Sequence, residues 1–217
     1  MKTTLIDIHT HNPRAEAILS LTPREYQNLS PDYSGLLSVG IHPWDTIIST
    51  EELERLLGIV ERAANNDARV MAIGEIGFDA LRGSSLDIQR EIFSRQVEIA
   101  VHTTLPVIIH CVKAWEELIS AVKALKPDVP MIIHGFRGNE YVARMLLRAG
   151  FYLSIGAKFN PKAVAEVPDS RLLVESDEAV INLAEHIERL AHLRGQTQAA
   201  LLDILAANTA RILKERI

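Results

Sequence analysis

Short apolar runs rich in β-branched residues constrain the fold of this chain more than any other feature. They recur at Leu5 to His9, Leu36 to Ile41, Val70 to Glu75, Val107 to His110, Met131 to His134, Phe151 to Ile155 and Leu172 to Glu175. A strand that is apolar on both faces must be covered on both faces, which parallel strands joined by helical crossovers achieve. Helical spacing fills most of the intervals. Ile92, Phe93, Val97, Ala100 and Val101 share a face, as do Val142, Leu146 and Ala149 ahead of Gly150, a helix stop. Two more helices are expected, one over Ile181 to Leu193 and one over Leu201, Ile204, Leu205, Ile212 and Leu213 behind a Thr197 cap. This β-α rhythm predicts an α/β fold, a distorted, compact TIM-like (β/α) barrel with seven or eight parallel strands. A dinucleotide-binding sheet is disfavoured, because no Gly-rich phosphate fingerprint follows the first strand. No eighth strand is evident after Asp177, so the barrel is expected to be irregular there.

The prolines and glycines are scattered and no repeat or low-complexity stretch interrupts the sequence, which predicts a single domain over 1–217. A chain of 217 residues buries enough surface to fold without disulfides or a structural metal, so a metal site here would serve function. Its one cysteine, Cys111, cannot form an intramolecular bridge. Met1 to Leu5 lead straight into a strand-like segment, unlike a signal peptide, and no apolar run approaches the about 18 residues of a spanning helix. A cytoplasmic protein is expected, with no membrane association and no obligate protein partner. The formal charge of −5 argues against a broad basic surface for nucleic acid, yet divalent ions in a pocket lined by carboxylates invert the local sign and can attract an anion.

Chemistry-bearing side chains concentrate where the predicted strands end. His9 and His11 end or follow the first run, His42 follows the second, Glu75 ends the third, His110 the fourth and His134 the fifth, and Asp177 follows the seventh. In a parallel barrel these ends converge on one mouth, where such folds carry their active sites. Imidazole and carboxylate are ligands for borderline divalent cations, and His9 and His11 alternate so as to point the same way from an extended segment. The ligands outnumber the needs of one ion. Two ions with a bridging carboxylate such as Glu75, and an activated water between them, are the economical reading, and they point to hydrolysis.

Other residues read as structural. His102 suits a helix C-terminus, where a positive charge complements the dipole. His186 and His192 fall within a surface helix, Cys111 reads as a small packed hydrophobe, and Trp115 reads as a helix residue packed on the barrel, with stacking on a base or a sugar as its alternative.

The ordered strings Asp7-Ile8-His9-Thr10-His11, Gly40-Ile41-His42-Pro43, Gly74-Glu75-Ile76-Gly77-Phe78-Asp79, Pro106-Val107-Ile108-Ile109-His110, His134-Gly135-Phe136-Arg137-Gly138 and Glu175-Ser176-Asp177 resemble the TatD family of metal-dependent hydrolases in the amidohydrolase superfamily. The resemblance runs from Asp7 to Asn208-Thr209-Ala210-Arg211-Ile212-Leu213. It implies a distorted TIM barrel and a deoxyribonuclease with two divalent metal ions, Mg, Mn or Zn. It further implies that His9, His11, Glu75 and Asp177 hold one ion while Glu75, His110 and His134 hold the other. Asp177 would orient the attacking water and take its proton, with Glu75 as the bridge. His42 and the metals would balance charge on the phosphorane-like transition state, and Asp7 and Glu175 would fix ligand orientation. Arg137, Lys113, Lys158 and Lys162 are the candidates for contacting an anionic substrate.

Two departures from the family pattern bear on the substrate. Val112, with Lys113 beside it, stands where the family commonly has an arginine two residues past the fourth-strand histidine. After Asp177, Glu178-Ala179-Val180 is expected to pass directly into a helix, which shortens one wall of the cleft. The leading expectation is phosphodiester hydrolysis of DNA. The alternatives are hydrolysis of a small phosphate ester, amide or lactone by the same site, and a non-catalytic barrel stabilised by metal.

Overall fold

The computed structural model describes residues 7–14 and 16–213. In chain order the strands are β1 (Asp7–Thr10), β2 (Ala17–Leu21), β3 (Leu36–Val39), β4 (Val70–Asp79), β5 (Val107–Val112), β6 (Met131–Ile133), β7 (Tyr152–Ile155) and β8 (Leu172–Val174). The helices are α1 (Pro23–Gln27), α2 (Thr50–Asn66), α3 (Leu86–Thr103), α4 (Trp115–Leu125), α5 (Glu140–Arg148), α6 (Pro161–Ala165), α7 (Leu183–Leu193) and α8 (Gln198–Ile212). Strand order follows chain order in a closed barrel.

All seven apolar runs become strands, but the eighth strand is not at the C-terminal end. It is β2, whose Ala-Ile-Leu-Ser-Leu sequence is buried over its first four residues. Among the described residues the connection from β1 to β2 carries no helix, so the β-α rhythm gives no cue to it. Two strand ends also move. The strand expected to stop at Glu75 runs on to Asp79, which puts Glu75 in its middle, and the strand expected to stop at His110 continues to Val112. Leu5 and Ile6 of the first run, and the leader segment Met1 to Leu5, lie outside the described residues.

By contacts the chain divides into two compact units, one over Ser20–Met131 and one combining Met1–Leu19 with Ile132–Ile217. In the central unit β4 is the spine, ten residues buried throughout. It pairs in parallel with β3, Val39 opposite Ile73, and with β5, Gly77 opposite His110 and Phe78 opposite Cys111. Glycine is required at that second contact. Gly77 has φ +143, and a Cβ there would lie 2.0 Å from the His110 carbonyl oxygen. The close approach of β4 to β5 therefore depends on the missing side chain.

Helix α3 covers this spine with Ile92, Phe93, Val97 and Ala100, and Phe93 lies 5.1 Å from Phe78 between ring centroids. The same face carries two buried glutamines two turns apart. Gln96 Oε1 accepts the Ile41 N–H at 2.7 Å while its amide donates to the Ile41 carbonyl at 3.2 Å. Gln89 treats Asp79 likewise, accepting its N–H at 2.8 Å and donating to its carbonyl at 3.0 Å, and it also donates to the Arg82 and Ser84 carbonyls. The amides stand in for the neighbouring strand where the ladder stops. At the end of α2, Asp67 accepts from the Arg69 backbone and guanidinium and from the Tyr26 hydroxyl at 3.0 Å. These hydrogen bonds, those of Arg69 above all, hold its carboxyl down at about 2.

In the other unit β8 pairs with β1, Asp7 opposite Val174, and with β7, whose other neighbour is β6. Thr197 caps α8 through the Ala200 N–H, as expected, and Leu201, Leu205 and Ile212 are buried. The buried Asn208 amide donates to the Asp169 and Leu172 carbonyls and ties α8 to the start of β8. His186 is not a surface residue. It is buried with Ile187, Leu190 and Ala191, its Nε2 hydrogen-bonds the Ile155 carbonyl at 3.0 Å, and burial lowers its pKa. The helical face at 186, 187, 190 and 191 was readable from the spacing of its neighbours. His192 is exposed, as expected.

Two outcomes follow from these contacts. Gly77→Ala should lower the stability to urea unfolding by about 3 kcal/mol, because strain in the backbone adds to a clash that only strand separation relieves. For Asp67→Asn the loss of stability should depend on pH. The carboxylate is depressed in the folded state, so its contribution is present above 3.8 and lost as the pH falls to about 2. Unfolding curves of wild type and variant should therefore differ at pH 6 and converge in that acid range.

Candidate metal centre

The exit from β8 is built around one unusual residue. Asp177 has φ +56, in the left-handed region that side chains seldom adopt, and the turn is held by backbone bonds on both sides. Its N–H donates to the His9 carbonyl at 3.0 Å, and the His11 N–H donates to its own carbonyl at 3.1 Å. One residue earlier, the Ser176 N–H donates to Asp7 Oδ1 at 3.0 Å and the Ser176 hydroxyl lies 2.8 Å from both Asp7 Oδ2 and Thr10 Oγ1. Burial raises the Asp7 pKa, and the hydrogen bonds from Ser176 oppose it. The result places Asp177 Oδ1 3.8 Å from His9 Nε2 and 3.8 Å from His11 Nε2. Its other oxygen, Oδ2, faces Arg137, with Nη2 at 3.7 Å.

His134 follows β6 in the same unit, its ring 4.4 Å from that of His9. Glu175 orients it. Oε1 of this fully buried carboxylate accepts the Gly135 N–H at 2.5 Å and lies 3.3 Å from His134 Nδ1. A carboxylate at Nδ1 fixes the tautomer and puts the lone pair on Nε2. Glu175 Oε2 is buried and has no hydrogen-bond partner among the described residues. His9, His11 and Asp177 form one group whose ligand atoms all lie within 4.8 Å of one another, and His134, Glu175 and Asp177 form another.

The central unit carries its own group, His42, Glu75 and His110, on the same distance criterion. Glu75 Oε1 lies 2.6 Å from His110 Nδ1 and 3.2 Å from His42 Nε2. His42 precedes the 3-10 turn Pro43–Asp45, and its Nδ1 accepts the Trp44 N–H at 3.1 Å. That bond leaves its proton on Nε2, toward Glu75. Behind His110, Nε2 lies 3.4 Å from Asp79 Oδ2, so the second carboxylate can fix this ring as Glu175 fixes His134. Burial raises the Asp79 pKa, but hydrogen bonds from Trp44, the Leu81 N–H and His110 outweigh it and leave the pKa lowered. Sequence reasoning gave Asp79 no role. Its place four residues past Glu75, on the same face of an extended strand, was the available signal.

A site of two imidazoles and a carboxylate, with a buried carboxylate behind the histidine, fits a borderline divalent cation. His9, His11 and Asp177, with Glu175 behind His134, meet that description in one unit, and the central unit offers the His110 imidazole and Glu75 with Asp79 behind, His42 keeping its proton on Nε2. His9, His11, His134 and Asp177 come together in one unit, and His42, Glu75 and His110 in the other. Arg137 reaches Asp177, whereas Lys113, Lys158 and Lys162 are exposed on loops or the start of α6. Trp115 opens α4 half-buried, and Cys111 is packed, its thiol pushed up to about 12 by burial. The segment after Asp177 does not enter a helix directly. Glu178 to Ile181 form an irregular connection before the Asn182 cap of α7, because Asn182 accepts the N–H groups that begin that helix.

Among the described residues no helix is long and apolar enough to cross a membrane. The chain is 39% identical over 149 residues to an uncharacterized metal-dependent hydrolase, YabD of Bacillus subtilis; the match covers 64% of this chain and 57% of that protein's length. It is 29% identical over 208 residues to the 3'-5' ssDNA/RNA exonuclease TatD of Cronobacter sakazakii, covering 83% of this chain and 78% of that one. The crystal structure of YjjV, a TatD homologue from Escherichia coli, superposes with a TM-score of 0.78 at 21% identity over 98% of both chains, which shows a shared fold. The family described as TatD related DNase matches residues 22–214, and with strand-end histidines and carboxylates in both units this chain belongs to it.

Proposed function

We propose that the chain is a metal-dependent phosphodiesterase acting on DNA, with the whole of 1–217 working as one catalytic domain. The observation that carries this reading is that each unit presents a cluster of imidazole and carboxylate with a buried carboxylate behind a histidine. The relative named as a single-strand exonuclease supports the substrate class. On this reading the chain would hold two divalent ions, Mg, Mn or Zn: His9, His11, Glu75 and Asp177 would hold one and Glu75, His110 and His134 the other, with Glu75 shared. When bound, the ions would acidify a water and neutralise charge on the scissile phosphate.

The protein's own groups do the rest. Asp177 keeps Oδ1 toward His9 and His11 and uses Oδ2 to take the proton of the attacking water. Arg137, beside Oδ2, contacts a non-bridging phosphate oxygen. His42 holds its proton on Nε2 and stabilises negative charge as it develops on the phosphate. Lys113 and Lys158 supply screened attraction to the rest of the strand. A single buried cysteine suits a reducing cytoplasm.

A second reading keeps the ions and changes the substrate to a small phosphate ester, amide or lactone. Val112 favours it, since no guanidinium occupies the end of β5 and Lys113 lacks the bidentate fork.

Two measurements test the proposal. Metal-stripped protein reloaded with Mg, Mn or Zn should bind two ions per chain and cut an end-labelled single-stranded oligonucleotide, and chelation should abolish cutting. One ion at saturation overturns the binuclear centre. Asp177→Asn should fold normally and lose about 10²- to 10⁴-fold in turnover, the usual worth of a general base. Hydrolysis of a chromogenic ester or lactone with DNA left intact would select the second reading, full turnover in the variant would overturn the role of Asp177, and metal binding with no turnover of any substrate in wild type or variant would favour a non-catalytic barrel.

A further inference from the structure

An aromatic surface lies beside His42 and His110, and the reading above gives its exposed ring no contact with substrate. Trp44 is 44% exposed, an expensive way to display an indole. It is nonetheless held firmly. Its Nε1–H donates to Asp79 Oδ2 at 2.6 Å, and its ring stands nearly perpendicular to those of His42 and His110, 4.8 Å and 5.8 Å away between centroids. The guanidinium of Arg82, itself exposed, lies over the indole at 4.3 Å.

The backbone beneath both residues is locked. The Ser84 N–H and hydroxyl both donate to Thr46 Oγ1, at 3.0 and 2.8 Å, while the Thr46 hydroxyl donates to the Pro43 carbonyl at 2.7 Å. Gly83 has φ +83, and a Cβ on it would lie 2.0 Å from that same carbonyl. From below, Gln89 donates to the Arg82 and Ser84 carbonyls. An indole pinned through its Nε1–H, 44% exposed, with one exposed planar cation over its ring has the make-up of a stacking platform.

We propose that Trp44 is a nucleobase-binding residue. A base adjoining the scissile phosphate stacks on the indole face now covered by the Arg82 guanidinium, and Arg82 turns to the phosphate backbone. A planar base replaces a planar cation over the same ring, so the exchange costs little contact area. This gives the site a preference for nucleotides over plain phosphate esters without reading sequence, since every base has a π face. The inference rests on the proposed phosphodiesterase reading for its substrate, yet its binding test does not require turnover.

The test uses intrinsic fluorescence in a Trp115→Phe background, where Trp44 is the remaining tryptophan. Titration with a deoxynucleoside 5′-monophosphate should quench the emission in chelator and in metal alike, and deoxyribose 5-phosphate should not. Loss of one stacked base corresponds to about 5- to 100-fold in affinity. Trp44→Ala should raise KM for an oligonucleotide by that factor. It should also erase the difference between a normal strand and one with an abasic site at the cleaved end, and Trp44→Phe should restore much of it. Equal response to the two phosphates, or an abasic penalty that persists in Trp44→Ala, overturns the proposal. Quenching without cleavage of any strand would overturn the nuclease reading and leave base binding standing.

Discussion

A parallel strand that ends inside a protein leaves backbone N–H and carbonyl groups without a neighbour, and the cost of burying them unpaired governs this structure. The chain answers with side chains. Gln96 closes the exit of β3 at Ile41 and Gln89 closes β4 at Asp79, while Glu175 receives the Gly135 N–H after β6 and Asp7 receives the Ser176 N–H after β8. Each of these groups sits next to a residue of the candidate site: His42, the Asp79 carboxylate, His134 and Asp177. The bonds that make the strand ends tolerable are thus also the bonds that orient the candidate ligands, and the geometry of the candidate site is not separable from the energy of folding.

How much of this was legible in the sequence depends on the kind of signal. Seven strands, the flanking helices and the Thr197 cap were readable because burial on both faces and helical spacing leave a pattern in consecutive residues. The clusters of histidine and carboxylate were readable because such residues at the end of an apolar run are out of place unless used. β2 was not, since it follows β1 without a helix to mark it off as a separate strand. The buried glutamines were missed for another reason: a glutamine on a helix reads as surface until one knows which carbonyl it faces.

His186 and Asp79 show the same limit from opposite sides. His186 lies on a face whose neighbours are apolar, and the sequence hint was outweighed by its polar side chain; the structure satisfies it with the Ile155 carbonyl. Asp79 stood inside a quoted motif, but its role comes from meeting Trp44 and His110, a long-range coincidence that spacing alone does not report. What sequence loses in each case is the partner, not the residue.

The left-handed conformation of Asp177 has an evolutionary consequence. Asparagine shares aspartate's tolerance of that backbone region and has almost the same shape, so an aspartate-to-asparagine change there imposes no strain on the turn that joins β8 to β1. A single transition in the codon makes it. Such a lineage could lose its chemistry while keeping its fold and its histidines, and descend into a nucleotide- or metal-binding protein through one step that selection on stability would not see.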